Sequence, residues 1–260
     1  MKVVALVENT TKLDCPVEHG LSLYIETKRH RILFDTGQGR LFEENAKRFG
    51  VDLSLVDLCI LSHGHYDHGG GLYLFHKINP NAPIYLSSHA FEPHYHGSDR
   101  YIGLNQDFLE DPSFRSRLVY VDGSLAIDDE LEILPPKGEK RVEVDDDNLL
   151  VKENNAFVPD DFRHEHYLLI KEGGKRVLIS GCSHQGVINI ASWYKPDVLI
   201  GGFHIRHHEL NEGLVAFGKM LNEYDTVYYT CHCTGVEQYE YLFKHMDKLH
   251  YLSEGEVIEL

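Results

Sequence analysis

Apolar runs along this chain are mostly short and strand-like, and helical spacing follows them rather than leads. Residues 3–7, 21–26 and 31–34 read as three strands, the last stopped by Asp35-Thr36-Gly37. Residues 41–49 carry helical spacing that ends at Gly50, a good C-terminal stop. Residues 56–61 form a buried-strand run. A short helix at 72–78 follows the triple glycine 69–71, and residues 83–86 give another strand. A second series then begins. Strands are expected at 118–121, 130–134, 167–171, 176–180, 198–200 and 227–229, with helices at 185–194, 209–224 and 236–249. Residues 257–260 are placed to close a sheet edge. Strands early in each half with helices after them predict an α+β protein, two β-rich layers sandwiched by helices.

Two stretches break the rhythm. Residues 88–117 hold His89, His94, Tyr95, His96 and Tyr101 with little periodicity. They are too long for an ordinary connection, so a binding loop or lid stands level with a plain surface insertion. Residues 136–163 are mostly polar and read as a loop with an irregular hairpin. No linker separates two domains, so the expectation is one domain over 1–260 with a substrate-loop insertion at about 88–117.

Composition narrows the class. The 260 residues are 42% hydrophobic, ordinary for a soluble globular chain. A net charge of −16 repels nucleic acid and anionic membrane surfaces, so neither is expected as a partner. No apolar run approaches bilayer length, and the first strand turns polar at Glu8, too soon for a signal peptide. Five cysteines, an odd count, argue against a disulfide framework and for a reducing compartment. A cytoplasmic location is the expectation. The oligomeric state is not legible. The 18 histidines are a high share, and they cluster.

The densest cluster is His63-Gly64-His65-Tyr66-Asp67-His68, directly after a strand run. Four potential ligands in six residues point to a transition-metal site more than to a histidine-rich polar turn. Three later segments repeat one arrangement, a strand, then small residues, then histidine: Ser180-Gly181-Cys182-Ser183-His184, Gly201-Gly202-Phe203-His204 and Thr230-Cys231-His232-Cys233. As a set they read as further ligands rather than structural histidines. Cys231-His232-Cys233 lacks the paired Cys-x-x-Cys that a structural zinc site would need.

His63-x-His65-x-Asp67-His68 after a strand resembles the signature of the metallo-β-lactamase superfamily. Phe34-Asp35-Thr36-Gly37 is similar to its early strand-and-turn motif, Ser180-Gly181-Cys182 to its later strand end, and His232 to its last ligand. A narrower resemblance lies in Glu18-His19-Gly20-Leu21-Ser22, Tyr101-Ile102-Gly103, Gly181-Cys182-Ser183-His184-Gln185-Gly186 and His232-Cys233-Thr234-Gly235. These segments look like the dihydropterin-ribofuranosylaminobenzene-phosphate synthase subfamily. The resemblance implies a four-layer αββα sandwich and two divalent transition-metal ions, zinc first, with manganese or iron as alternatives. Cys182 stands where the superfamily places a bridging Asp. The usual upstream histidine has no clear counterpart, since Glu165 holds that place between His164 and His166.

On this basis His63, His65 and His184 are expected around one metal, Asp67, His68 and His232 around a second, with Cys182 as a further ligand. Tyr66 should point away and pack. Asp67 and His204 are the catalytic candidates, Asp67 to orient hydroxide and His204 as proton donor or phosphate contact; His19 and Tyr101 are substrate candidates. The leading function is a metal-dependent hydrolase using metal-bound hydroxide on a small phosphoester or cyclic phosphodiester. A pterin-linked transferase, with Tyr95 and Tyr101 stacking on the ring, is the alternative. An iron-dependent redox enzyme ranks third, because oxygen-reducing members favour a carboxylate where His65 stands.

Overall fold

Val3, Val4, Leu6 and Val7 give strand Lys2–Val7 apolar side chains on both faces, and all four are buried. A strand buried on both faces belongs inside a sheet. The computed structural model of the chain describes residues 1–144 and 148–260, which form two compact units. Unit one comprises Met1–Asp122, Asp145–His166 and Ser253–Leu260; unit two comprises Gly123–Val144 and Tyr167–Leu252.

The main sheet of unit one has seven strands among the described residues, in the order Val257–Glu259, Lys2–Val7, Ser22–Glu26, Arg31–Phe34, Leu58–Ile60, Ile84–Leu86, Leu118–Tyr120. Its first four strands pair antiparallel, with Val3 opposite Ile258 and Leu23 opposite Phe34. From Arg31–Phe34 onward the pairing is parallel. Helix Leu41–Arg48 lays Leu41, Phe42 and Ala46 into a core with Val4, Leu6, Leu33, Cys59 and Ile84. Each large side chain fully buried there contributes about 1.5–3 kcal/mol. Parallel pairing has a positional consequence. Strands 31–34, 58–60 and 84–86 run the same way, so Asp35, the histidine turn and Ser87 all leave the sheet at one edge, where α/β sheets bind ligands.

Unit one also holds a four-stranded antiparallel sheet, ordered Ala156–Pro159, Leu149–Glu153, His94–His96, Arg100–Tyr101. The expected hairpin in 136–163 is the pair 149–153 and 156–159; residues 145–147 of that stretch lie outside the described residues. The unperiodic segment 88–117 thus contains strands. Two or three residues are too few to print an alternation; pairing holds them instead, His94–His96 against 149–153 and Arg100–Tyr101 against His94–His96. The bridge between His65 and Gly103, and the Tyr66 N–H donating to the Ile102 carbonyl at 2.9 Å, tie this small sheet to the histidine turn. The Tyr66 ring packs against the cluster of Ile102, Leu149 and Phe162, as expected of a packing side chain.

The sheet of unit two is ordered Leu249–Tyr251, Val227–Thr230, Val198–Ile200, Lys175–Ile179, Tyr167–Glu172, Leu131–Leu134, Leu125–Ala126. The first four strands are parallel. Val187–Tyr194, Glu212–Leu221 and Val236–Phe243 are the helices of this unit among the described residues, and they supply its core with Val187, Ile190, Leu214, Leu221 and Leu242. Two expected helices are shorter than predicted. Asn211 accepts the Gly213 and Leu214 N–H groups and so caps its helix, which starts at Glu212 rather than at 209. The helix expected over 236–249 ends at Phe243, because Leu249 is pulled into register with Tyr228 as part of an edge strand. No described helix is long and apolar enough to cross a membrane.

Candidate metal centre

In unit one the histidine turn is set by a single buried carboxylate. Asp35, at φ +60°, occupies the left-handed region that non-glycine residues rarely adopt. Its Oδ1 accepts the Ser62 N–H at 2.7 Å; its Oδ2 accepts the Ser62 hydroxyl at 2.7 Å and lies 2.7 Å from His68 Nδ1. A carboxylate only accepts, so His68 carries its proton on Nδ1 and a lone pair on Nε2. The Ser62 hydroxyl spends its one hydrogen on Asp35, and His63 Nδ1 lies 2.8 Å from that oxygen. His63 Nδ1 must then donate, which again leaves Nε2 as a ligand lone pair. The rings of His63 and His68 are 4.1 Å apart, and those of His63 and His65 are 4.6 Å apart. One Asp-Ser pair therefore presets the tautomers of two adjacent imidazoles.

His65 is buried, and burial, with the neighbouring His164 and His94, holds its pKa well below the ordinary histidine range. A neutral imidazole is the metal-binding form. His65, His94, Asp160 and His164 each offer a ligand atom, all within 4.8 Å of one another.

Asp67 faces a second relay. The Gly20 N–H donates to Asn9 Oδ1 at 3.2 Å, which orients the amide. Asn9 Nδ2 then lies 3.2 Å from His19 Nδ1, and His19 Nε2 lies 3.1 Å from Asp67 Oδ2. Asn9 donates, so His19 points an N–H at Asp67. His19, expected to meet substrate, is placed beside this carboxylate. Tyr101, the other substrate candidate, is about half exposed, donates its hydroxyl to the Leu104 carbonyl at 2.7 Å and packs edge-on to Tyr95 at 5.2 Å.

In unit two the parallel strands 175–179, 198–200 and 227–230 deliver Cys182, His184, His204, His232 and Cys233 to one edge of their sheet. The backbone is strained where these side chains are aimed. Ser183 has φ +59°, His204 +53° and His232 +50°. A Cβ at Gly202 would lie 2.2 Å from the Cys233 sulfur, so the chain crosses that sulfur only as glycine. The ligand atoms of Cys182, His204 and Cys233 fall within 4.8 Å of one another, and the rings of His184 and His204 are 4.3 Å apart. Burial pushes the Cys233 thiol up. Hydrogen bonds with Cys182 and His204, and the charges of His232 and His204, outweigh it and hold the thiol well below its usual range.

The expected ligands thus stand in two groups, His63, His65, Asp67 and His68 in unit one, Cys182, His184 and His232 in unit two. Imidazole nitrogen with carboxylate in the first, and imidazole with thiol in the second, is a donor chemistry that fits divalent transition ions. His204, expected as a proton donor, stands among these donors. Cys233 is not singled out by sequence, because no Cys-x-x-Cys accompanies it. The one sequence signal for Asp160 is its spacing of four from His164, and His94 is one of several histidines in an unperiodic stretch.

Residues 15–232 match the model of the metallo-beta-lactamase superfamily. The chain is 31% identical over 206 residues to the uncharacterized protein MJ0448 of Methanocaldococcus jannaschii, covering 77% of this chain and 78% of that one. It is 30% identical over 267 residues to 7,8-dihydropterin-6-methyl-4-(beta-D-ribofuranosyl)-aminobenzene-5'-phosphate synthase of the same organism, covering 90% and 88%. Among solved structures it is similar to Tm1679, described as a metal-dependent hydrolase of the beta-lactamase superfamily, with a TM-score of 0.84, 26% identity and coverage of 100% and 99%.

Proposed function

The chain belongs to the metallo-β-lactamase superfamily and has its α+β fold, and from that premise we propose that it is a metal-dependent hydrolase of small phosphoesters or cyclic phosphodiesters. The observation that carries this reading is the turn 63–68, where Asp35 and Ser62 set His63 and His68 with Nε2 lone pairs outward. His63, His65, Asp67 and His68 are the proposed ligands from unit one. Cys182, His184 and His232 are the proposed ligands from unit two, by their order along the chain. A divalent ion, when bound by the proposed ligands, would supply Lewis acidity and would lower the pKa of a bound water toward neutral. Asp67, braced by His19, orients the attacking water, and His204 is the candidate proton donor to the leaving group. The description of Tm1679 supports hydrolysis.

A second reading is favoured by the synthase relative: a transferase joining a pterin to an aryl ribose phosphate. Tyr95 and Tyr101 would then contribute aromatic surface.

Elemental analysis of protein purified without added metal, followed by assay on bis(p-nitrophenyl) phosphate with the ion found, tests the first reading. About one or two transition-metal ions per chain are expected. The variant His65→Ala should lose metal and turnover together, and unchanged metal content in it would reject the ligand assignment. Condensation of a dihydropterin with the aryl ribose phosphate, read by mass spectrometry and without phosphoester turnover, would transfer the assignment to the synthase reading.

A further inference from the structure

The buried group His65, His94, Asp160 and His164 has the composition of a metal site of its own, three imidazoles and one carboxylate. One hydrogen bond decides against it. The backbone N–H of Gly64 donates to His164 Nδ1 at 2.9 Å. A peptide N–H cannot accept, so Nδ1 holds the lone pair and the ring proton sits on Nε2. That nitrogen faces Asp160 Oδ2 at 3.3 Å. To ligate a metal through Nε2, the ring would have to become an imidazolate or turn an N–H against the Gly64 N–H.

We propose that His164 is a positioning residue, held by Asp160 and His94, that clamps the Gly64 amide and so fixes the spacing of His63 and His65. The support is continuous. Asp160 Oδ2 also meets His94 Nδ1 at 2.7 Å, and its Oδ1 accepts the Phe162 N–H at 2.8 Å. The Asp160 N–H is bonded to the Leu149 carbonyl at 3.0 Å, and His94 lies opposite Val151 in the small sheet. The clamp acts where the chain has no slack, since a Cβ on Gly64 would stand 2.2 Å from the Ala90 carbonyl oxygen. The small sheet of unit one therefore acts as a brace for the histidine turn. The segment 88–117 contributes through His94, a role distinct from that of a lid.

This inference rests on the reading that His63 and His65 hold metal, so its test has one arm that needs none. Long-range proton–nitrogen correlation spectra of the metal-free full chain should show His164 as the Nε2–H tautomer; an Nδ1–H tautomer overturns the clamp. The second arm is Zn(II) affinity by chelator competition. His164→Asn places a carbonyl oxygen where Nδ1 was and should stay within about threefold of wild type. His164→Gln and His164→Ala, which lose that acceptor, should weaken zinc by about 10–100-fold. Equal losses in the Asn and Ala variants would make His164 a ligand and end the proposal. If wild type binds no zinc, the proposed function fails. Gly64 amide exchange then decides the clamp alone: it should quicken in the Ala variant and not in the Asn variant, and equal rates would refute it.

Discussion

Asp35 makes three hydrogen-bonding contacts from a fully buried position, two to Ser62 and one to His68. Removing it strands the Ser62 N–H and frees two imidazole tautomers at once. Asp35→Ala is therefore expected to weaken metal binding by about 10–100-fold and lower stability by about 2–4 kcal/mol. Chelator competition and urea unfolding would measure both, and wild-type affinity would remove Asp35 from the supporting shell. At this scale the sequence showed which residues carry the chemistry but not how they are held. Four potential ligands in one turn can be counted from the letters. The tautomers depend on partners outside the local run of letters: Asp35 for His68, Asn9 for His19, and the Gly64 amide for His164.

Among elements, the connection after helix Leu72–Ile78 shows how local polar groups fix a turn. Asn79 is buried and uses both ends of its amide. Its nitrogen donates to the Leu53 and Val56 carbonyls at 3.0 and 2.9 Å, and its oxygen accepts the Asn81 and Ala82 N–H groups at 3.1 and 3.0 Å. Asn79→Ala leaves the buried Leu53 and Val56 carbonyls and the Ala82 N–H without it. It should cost about 2–4 kcal/mol, read as a lower urea midpoint with unchanged metal content, and a midpoint equal to wild type would contradict it. Strands were legible where burial on both faces printed a continuous apolar run, as at 31–34, 58–60 and 198–200. They were hidden where pairing alone makes them. His94–His96 and Arg100–Tyr101 have no pattern to read, and Leu249–Tyr251 was absorbed into a helix because Leu242, Met246 and Leu249 continue helical spacing. Helix starts were misplaced where one cap, Asn211, outweighed weak propensity beyond it.

The whole chain packs an unusual number of imidazoles away from water. Burial is the largest cause holding His166 down at about 4, and the same cause lowers His164 and takes His65 well below its ordinary range. Unfolded histidines titrate near ~6.5. Between that value and the folded one, the unfolded chain binds more protons, so stability falls as pH falls. His166 alone accounts for about 3 kcal/mol lost across the window from pH 6.5 to about 4. Chelator-treated protein should show urea midpoints that drop steadily from pH 7 to 5, with a smaller drop for His166→Gln; flat midpoints would contradict buried neutral imidazoles. Fold class was readable at this scale because strand–helix order is a global pattern. The three-segment make-up of unit one was not, since no local signal tells strand Val257–Glu259 to return to Lys2–Val7.

That return has a cost during synthesis. The neighbour on the outer side of strand Lys2–Val7 is translated some 250 residues after it. Until then a nascent chain carries a bare, valine-rich edge, the kind that recruits strands from other molecules. Productive cotranslational folding therefore depends on keeping that edge shielded, and chaperone depletion should reveal itself first as aggregation seeded from strand Lys2–Val7.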